Sequence, residues 1–179
     1  MSNNGTYRIL LFALITIFVT SCDGLRRTVA KLDGSDKSTT TTKRTTKRIT
    51  KTTQLRRDVT RYSKRYVGTN YKYAGKTPKG FDCSGFTSYV MKRHDITLSA
   101  SSRTQATQGR KIPLSRVQPG DLVFFGKRGK VTHVAMVLSN TKSGINVIHS
   151  TTSNGVMVQN ISTSKYWKPK ILFARDVID

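Results

Sequence analysis

The sequence predicts an α+β domain in which helices come first and an antiparallel sheet follows. Two observations indicate this fold class. Apolar residues recur at helical spacing between residues 55 and 93. After Pro113 the pattern changes to short β-branched or aromatic runs separated by glycine-containing turns. Helices followed by an antiparallel meander define an α+β domain.

The first helix is predicted from apolar positions at helical spacing, which end at a glycine suited to a helix stop: Leu55, Val59, Tyr62, Tyr66 and then Gly68. A loop rich in glycine and proline follows, over residues 69–80. The second helix is expected over residues 84–93. Its N-terminal end lies at Asp82 and Cys83, and aspartate is a good helix cap there.

Short runs after Pro113 predict the strands: 121–125, 132–138, 145–149, 156–160 and a last one at 171–175. The folded domain is therefore expected to span residues 54–179, long enough to bury a core without disulfides.

Residues 1–22 predict an export signal. Arg8 is the only charged residue there, and the apolar run of residues 9–19 is too short to favour a stable transmembrane helix. The ending from Val19 to Cys22 resembles a bacterial lipobox, in which the cysteine is diacylated and becomes the new N-terminus. The alternative is an ordinary signal peptide cleaved nearby, which leaves Cys22 without a special role.

Residues 23–53 are rich in threonine, lysine and arginine and show no apolar periodicity, so a flexible tether is expected. Its cations could contact anionic lipid or a wall polymer, and a solvated spacer is an equally good interpretation. The whole chain carries a formal net charge of +23, which implies an anionic partner. Export from the cytoplasm argues against nucleic acid as that partner.

The chain has two cysteines. If Cys22 carries lipid, Cys83 is left as a lone thiol, and a lone thiol in an oxidising compartment calls for a chemical explanation. A cysteine at a helix N-terminus is favoured as thiolate by the helix dipole. Alternatively, such a cysteine is only a small packing residue.

Histidines on two neighbouring strands could serve such a thiol. Pairing of these strands could bring His133 and His149 together, one as general base and the other as the group that orients it. Both could instead be structural histidines. His94, at the end of the second helix, is expected to be a surface residue that caps the helix.

Four segments carry a family resemblance: Gly68 to Phe86 with its Asp-Cys-Ser-Gly motif, Pro119 to Phe125, Thr132 to Val134, and Val147 to Ser150. In this order they resemble the NlpC-type, papain-like cell-wall cysteine peptidases, over residues 55–179. The resemblance implies a papain-like fold with Cys83 as nucleophile. It also implies that His133 is the general base and that His149 is the polar residue that orients it.

The resemblance further implies that Tyr71 holds the substrate carbonyl or the oxyanion, beside the backbone N–H of Cys83. Asp82 and Ser84 would contact the substrate peptide, although Asp82 also has the capping role given above. Departures from the family pattern occur at Asn70, Ala74 and Ala135, and the stretch before Arg103-Thr104-Gln105 has alanine and serine where a proline is common. These departures bear on loop geometry and on the substrate pockets.

The implied function is hydrolysis of amide bonds in peptidoglycan stem peptides. The expected bonds are the D-glutamyl–diaminopimelate link or the diaminopimelate–D-alanine cross-link. No metal or other cofactor is expected, and the protein is expected to be a monomer anchored by lipid in the bacterial cell envelope. The alternatives are a related cysteine-dependent amidase or acyltransferase, and a non-catalytic wall-binding lipoprotein.

Overall fold

The computed structural model describes residues 37–179, which contain three α-helices, two short 3-10 helices and eight strands. The helices are α1 (Lys37–Lys64), α2 (Cys83–Lys92) and α3 (Ser102–Gln105). The strands are β1 (Lys76–Thr77), β2 (Gly80–Phe81), β3 (Arg110–Ile112), β4 (Leu122–Lys127), β5 (Lys130–Thr141), β6 (Gly144–Thr151), β7 (Gly155–Asn160) and β8 (Ile171–Asp176). The predicted signal segment 1–22, including Cys22, lies outside the described residues.

Six of the strands form one antiparallel sheet in the order β3-β8-β4-β5-β6-β7. The predicted α+β fold is confirmed, and each of the five predicted strands is present. Three further strands were not predicted: the small β1–β2 hairpin in the loop before Cys83, and β3 at the sheet edge. These strands are two or three residues long, too short to show a periodicity in the sequence.

The sheet is buried on both faces, and β4 shows how the sequence achieves this. Successive side chains of a strand point to opposite faces. Leu122 and Phe124 accordingly belong to the core under α1 and α2, whereas Val123 and Phe125 belong to the core on the other face. Full burial of each such side chain contributes about 1.5–3 kcal/mol.

The helix α1 begins at Lys37, well before the predicted start of the domain. The flexible coil expected for residues 37–53 is therefore wrong. Val59 is buried and holds the helix in place, so extension towards the N-terminus needs no new helix nucleus. Each further residue that becomes helical adds one backbone hydrogen bond, which offsets most of the entropy lost by fixing that residue. The threonine hydroxyls of this stretch find acceptors within the helix, since Thr45 donates to the carbonyl of Thr41 and Thr50 to that of Thr46.

A buried arginine joins α1 to the sheet. Arg56 donates to Asp121 at 2.7 Å and to Asp176 at 2.8 Å, which lie at the start of β4 and the end of β8. It also donates to the carbonyl of Pro119 at 3.0 Å. This ion-pair cluster sets where α1 lies on the sheet.

None of the helices in residues 37–179 has the length and hydropathy needed to cross a membrane.

Candidate active site

Cys83 is the first residue of α2, as the sequence predicted for the candidate nucleophile. Asp82 is the helix cap, and its carboxylate accepts from the backbone N–H of Gly85 at 2.6 Å. A side chain at Gly85 is excluded, because its Cβ would lie 2.0 Å from the carbonyl oxygen of Gly75. The glycine of the Asp-Cys-Ser-Gly motif thus lets the loop before Cys83 pack directly on the helix.

Asp82 and Ser84 are both engaged in holding this turn. The hydroxyl of Ser84 donates to Asp82 at 3.0 Å and to the carbonyl of Ala100 at 3.2 Å. Neither residue is among those that line the cavity described below. Their expected contact with substrate stays a prediction, whereas the capping role of Asp82 is observed.

A buried glutamine that sequence reasoning did not single out fixes the same helix. The side-chain amide of Gln105 donates to the carbonyls of Ser84 and Ser99 and accepts from the hydroxyl of Thr87. Gln105 is fully buried although it is polar. A buried amide with all these partners locks the position of α2.

The two strand histidines meet, as the pairing of β5 and β6 predicted. Nε2 of His133 lies 3.0 Å from Nδ1 of His149, a hydrogen-bond distance. This contact leaves Nδ1 of His133 as the nitrogen available to a reacting group. If Nδ1 is to accept a proton, Nε2 must carry one and donate it to His149.

Trp167, the only tryptophan of the chain, covers both imidazoles. Its ring stacks on that of His133 with centroids 4.5 Å apart, and it lies 5.0 Å from the ring of His149. Phe125 completes the enclosure, 5.8 Å from His133. Sequence reasoning missed Trp167, because it lies in a turn before a short 3-10 helix with no periodic pattern around it.

Gln159 of β7 is a second residue that sequence reasoning missed. Nε2 of His149 is buried and has no hydrogen-bond partner among the described residues. The side chain of Gln159 is still near enough to oppose the lowering of the pKa of His149. When Nδ1 of His149 accepts from His133, Nε2 of His149 carries a proton, and the side chain of Gln159 offers an amide oxygen as an acceptor.

One cavity of about 940 Å³ is lined by Cys83, His133 and Tyr71 together. Tyr71 is half-buried, and its pKa is raised first by burial and then by the nearby Cys83 and Asp82. The structure thus brings together the candidate nucleophile, the candidate base and the candidate oxyanion group. The wall also includes three basic side chains, Lys127, Arg128 and Lys170.

Burial makes both imidazoles weak bases. It lowers the pKa of His133 to about 3, and the neighbouring His149 adds to this effect. Burial also lowers the pKa of His149 to about 4. Both rings are therefore neutral at pH 7, and His133 is able to accept a proton.

The pKa of Cys83 is raised, which is opposite to the direction expected from its place at the helix N-terminus. Burial of the sulfur is the largest cause, and it outweighs the backbone N–H groups of Val134 and Ser84 that favour the thiolate. The resting pair is therefore a neutral thiol and a neutral imidazole. Activation must come from transfer of the thiol proton to His133 during the reaction.

His94, which was expected to be a surface residue that caps the helix, does not line this cavity and is half-buried. It follows α2 and packs edge-on against Tyr62 of α1, with ring centroids 5.8 Å apart. Burial lowers its pKa. The apolar contact with α1 accounts for this position.

An α+β domain with a cysteine at a helix start and paired histidines on the adjoining sheet defines the class of papain-like cysteine peptidases. The chain belongs to the NlpC/P60 family, whose model matches residues 68–176. The family expected from the sequence is thereby confirmed.

Three comparisons show how the chain relates to known proteins. It is 37% identical over 120 residues to the γ-DL-glutamyl hydrolase of Bacillus subtilis strain 168, covering 64% of this chain but 28% of that protein. It is 37% identical over 113 residues to the probable endopeptidase NlpC of Escherichia coli K12, covering 62% of this chain and 70% of that protein. The crystal structure of the NlpC/p60 domain of the peptidoglycan hydrolase SagA aligns with a TM-score of 0.58 at 31% identity, over 68% of this chain and 97% of that domain.

Proposed function

We propose that this protein is an endopeptidase that hydrolyses amide bonds in peptidoglycan stem peptides, with Cys83 as its nucleophile. The observation that carries the proposal is the single cavity shared by Cys83, His133 and Tyr71, with His133 bonded to His149 behind it. The family membership and the peptidoglycan hydrolase SagA among similar structures support the substrate class.

In the mechanism, Sγ of Cys83 attacks the carbonyl carbon of the scissile amide while Nδ1 of His133 takes the thiol proton. The N–H of Cys83 and the hydroxyl of Tyr71 stabilise the oxyanion. The C–N bond then breaks, and His133 returns the proton to the leaving amine. Water, deprotonated by the same imidazole, hydrolyses the thioester and releases the acid.

His149 acts through His133. By accepting a hydrogen bond from Nε2–H, it selects the tautomer whose Nδ1 is free to work as the base, and it supports the imidazolium that forms. Trp167 keeps water from this hydrogen bond. In a water-excluded site the bond is stronger than it would be in solvent.

A γ-glutamyl bond is the scissile bond that we favour. The γ-DL-glutamyl hydrolase relative is named for such a bond. A γ-glutamyl bond leaves the α-carboxylate of the glutamate free, on the same residue as the reacting carbonyl. The cavity wall includes the cations Lys127, Arg128 and Lys170, which are complementary in charge to such a carboxylate.

Attachment to the cell envelope through a lipid on Cys22 is part of the proposal. It rests on the export signal and lipobox-like ending of residues 1–22. Growth with a labelled fatty acid tests it: label should enter the wild-type chain and not Cys22→Ser. Label in both chains, or in neither, would contradict lipidation at Cys22.

The activity is tested with residues 37–179 and purified muropeptides, with products identified by mass spectrometry. Wild-type protein should cleave, Cys83→Ala should not, and Ser115→Ala, an exposed residue outside the cavity, should match wild type. Cleavage that survives Cys83→Ala would disprove the thiol mechanism. Iodoacetamide labelling of a separate sample shows whether the Cys83 thiol is reactive. If it is, and the untreated wild-type protein still cleaves no muropeptide, a wall-binding protein is favoured.

A further inference from the structure

The N-terminal half of α1 carries its positive charges on one side. Five lysines and arginines, all exposed, lie between residues 43 and 51: Lys43, Arg44, Lys47, Arg48 and Lys51. An α-helix turns by about 100° per residue, so these five positions fall within an arc of about 140°. We call these five residues the cationic face.

The rest of the circumference is neutral and offers little apolar surface. Threonines occupy most of it, and the hydroxyls of Thr45, Thr46 and Thr50 donate back to carbonyls four residues earlier. Ile49 is the one large hydrophobic residue there, and it is 60% exposed. The helix therefore lacks an apolar face that could insert among acyl chains.

The cationic face is not neutralised by acidic side chains of the domain. Within residues 37–179 the ion pairs involve Arg56, Arg61 and Arg110, and none involves the cationic face. Asp58 is the single acidic residue of α1, and it pairs with Arg61 beyond the end of this face. The five charges thus remain available to an external anion.

We propose that the cationic face binds a membrane surface that contains anionic phospholipid. A plane can touch only one side of a straight helix, and this helix presents all five cations on one side along about 12 Å of its axis. A flexible polyanion can wrap a helix from any direction and does not require cations on one side. The segregation of charge therefore favours the flat surface, and the binding is electrostatic at the headgroups.

The proposal is independent of the peptidase activity and of a lipid on Cys22. It is tested with the chain from Asp23 onward, which retains the compact unit of residues 36–179 and lacks Cys22. Binding is measured by sedimentation with vesicles of phosphatidylcholine alone or mixed equally with phosphatidylglycerol. We expect affinity about tenfold or more higher for the mixed vesicles, with most of it lost at high salt because exposed charges are screened.

The decisive control keeps the charge and moves it. The exchange variant carries two swaps: Thr46→Lys with Lys47→Thr, and Lys51→Thr with Thr53→Lys. It keeps the composition and net charge of the wild type but spreads the cations around the helix. In the removal variant, Lys47→Gln and Lys51→Gln delete two charges with little change in helix propensity. Circular dichroism checks that both variants keep the helix.

Both variants should lose vesicle affinity about equally, by about tenfold or more, and both should cleave soluble muropeptides as wild type does. An exchange variant that binds vesicles like wild type would overturn the proposal, since charge alone would then suffice. Equal wild-type binding to the two vesicle types would also overturn it. A third contrary result is wild-type binding to soluble inorganic polyphosphate with no measurable binding to the mixed vesicles.

Discussion

Nε2 of His133 lies 3.0 Å from Nδ1 of His149, while Trp167 stacks over the His133 ring with centroids 4.5 Å apart. One imidazole is thus held by a hydrogen bond at its edge and by an aromatic ring on its face. The two restraints fix both the orientation and the tautomer of the candidate base. They can be separated by substitution.

His149→Ala removes the acceptor for Nε2–H of His133, so the ring can adopt the wrong tautomer. We expect kcat on muropeptides to fall about 100- to 1,000-fold, with KM nearly unchanged. His149→Asn should recover much of the loss, because an amide oxygen can accept the same hydrogen bond. Steady-state kinetics on both variants checks this. Equal activity of the alanine and asparagine variants would show that His149 only fills space.

Trp167→Ala should raise the pKa of His133 from about 3 towards its ordinary value of 6.5, because water then reaches the imidazole and stabilises the charged form. A base with a higher pKa becomes protonated, and therefore unable to accept a proton, at a higher pH. The acid limb of kcat/KM should therefore move upward in pH, as measured by rate profiles and by NMR titration of the imidazole. Tyr166→Ala is the control, because Tyr166 is exposed and contacts Trp167 rather than the histidines. An acid limb of kcat/KM that is unchanged in Trp167→Ala would contradict the shielding role of Trp167.

The raised pKa of Cys83 predicts how its thiol reacts. Since the resting pair is neutral, the rate of alkylation by iodoacetamide should rise steadily with pH up to or beyond 9, the ordinary value for cysteine. The rate is measured by mass spectrometry on substrate-free protein, with Cys83→Ser as the blank. A plateau through the neutral range would instead reveal a preformed thiolate–imidazolium pair.

Arg56→Met leaves the buried Asp121 without its cation and leaves Asp176 with only the exposed Arg110. We expect a loss of about 3–5 kcal/mol in the free energy of unfolding at pH 7. Burial already raises the pKa of Asp121 to about 6, against the opposing effects of the Gln118 N–H and of Arg56. Without Arg56, the folded state takes up protons more readily than the unfolded state, so the loss should shrink as the pH falls from 7 to 5.

Urea unfolding at the two pH values measures this effect. Arg110→Met is the matched control, since Arg110 is 66% exposed and pairs with the same Asp176. An exposed pair contributes about 1 kcal/mol or less. Equal losses in the two variants would show that the buried cluster does not position α1.

Much of the domain could be predicted from local patterns. Short apolar runs indicated strands such as β4, because a strand that is buried on both faces is apolar at nearly every position. The Asp-Cys-Ser-Gly motif placed Cys83 at a helix start, since an aspartate cap acts only on the next few N–H groups. The contact of His133 with His149 also followed from two adjacent strands.

Other features depend on residues far apart in the chain. Trp167 reaches His133 only because β8 and the turn before it return to the sheet, and Arg56 finds Asp121 and Asp176 across the packed domain. The early start of α1 was missed because a packed helix extends through residues that would not form one alone.

The sequence by itself determined the fold class and the identity of the candidate nucleophile, because both depend on periodicity and on a local cap. Only the tertiary structure decided the direction in which the pKa of Cys83 is shifted. Its helix position favours a thiolate, yet burial raises its pKa, and burial is a property of the whole packed domain.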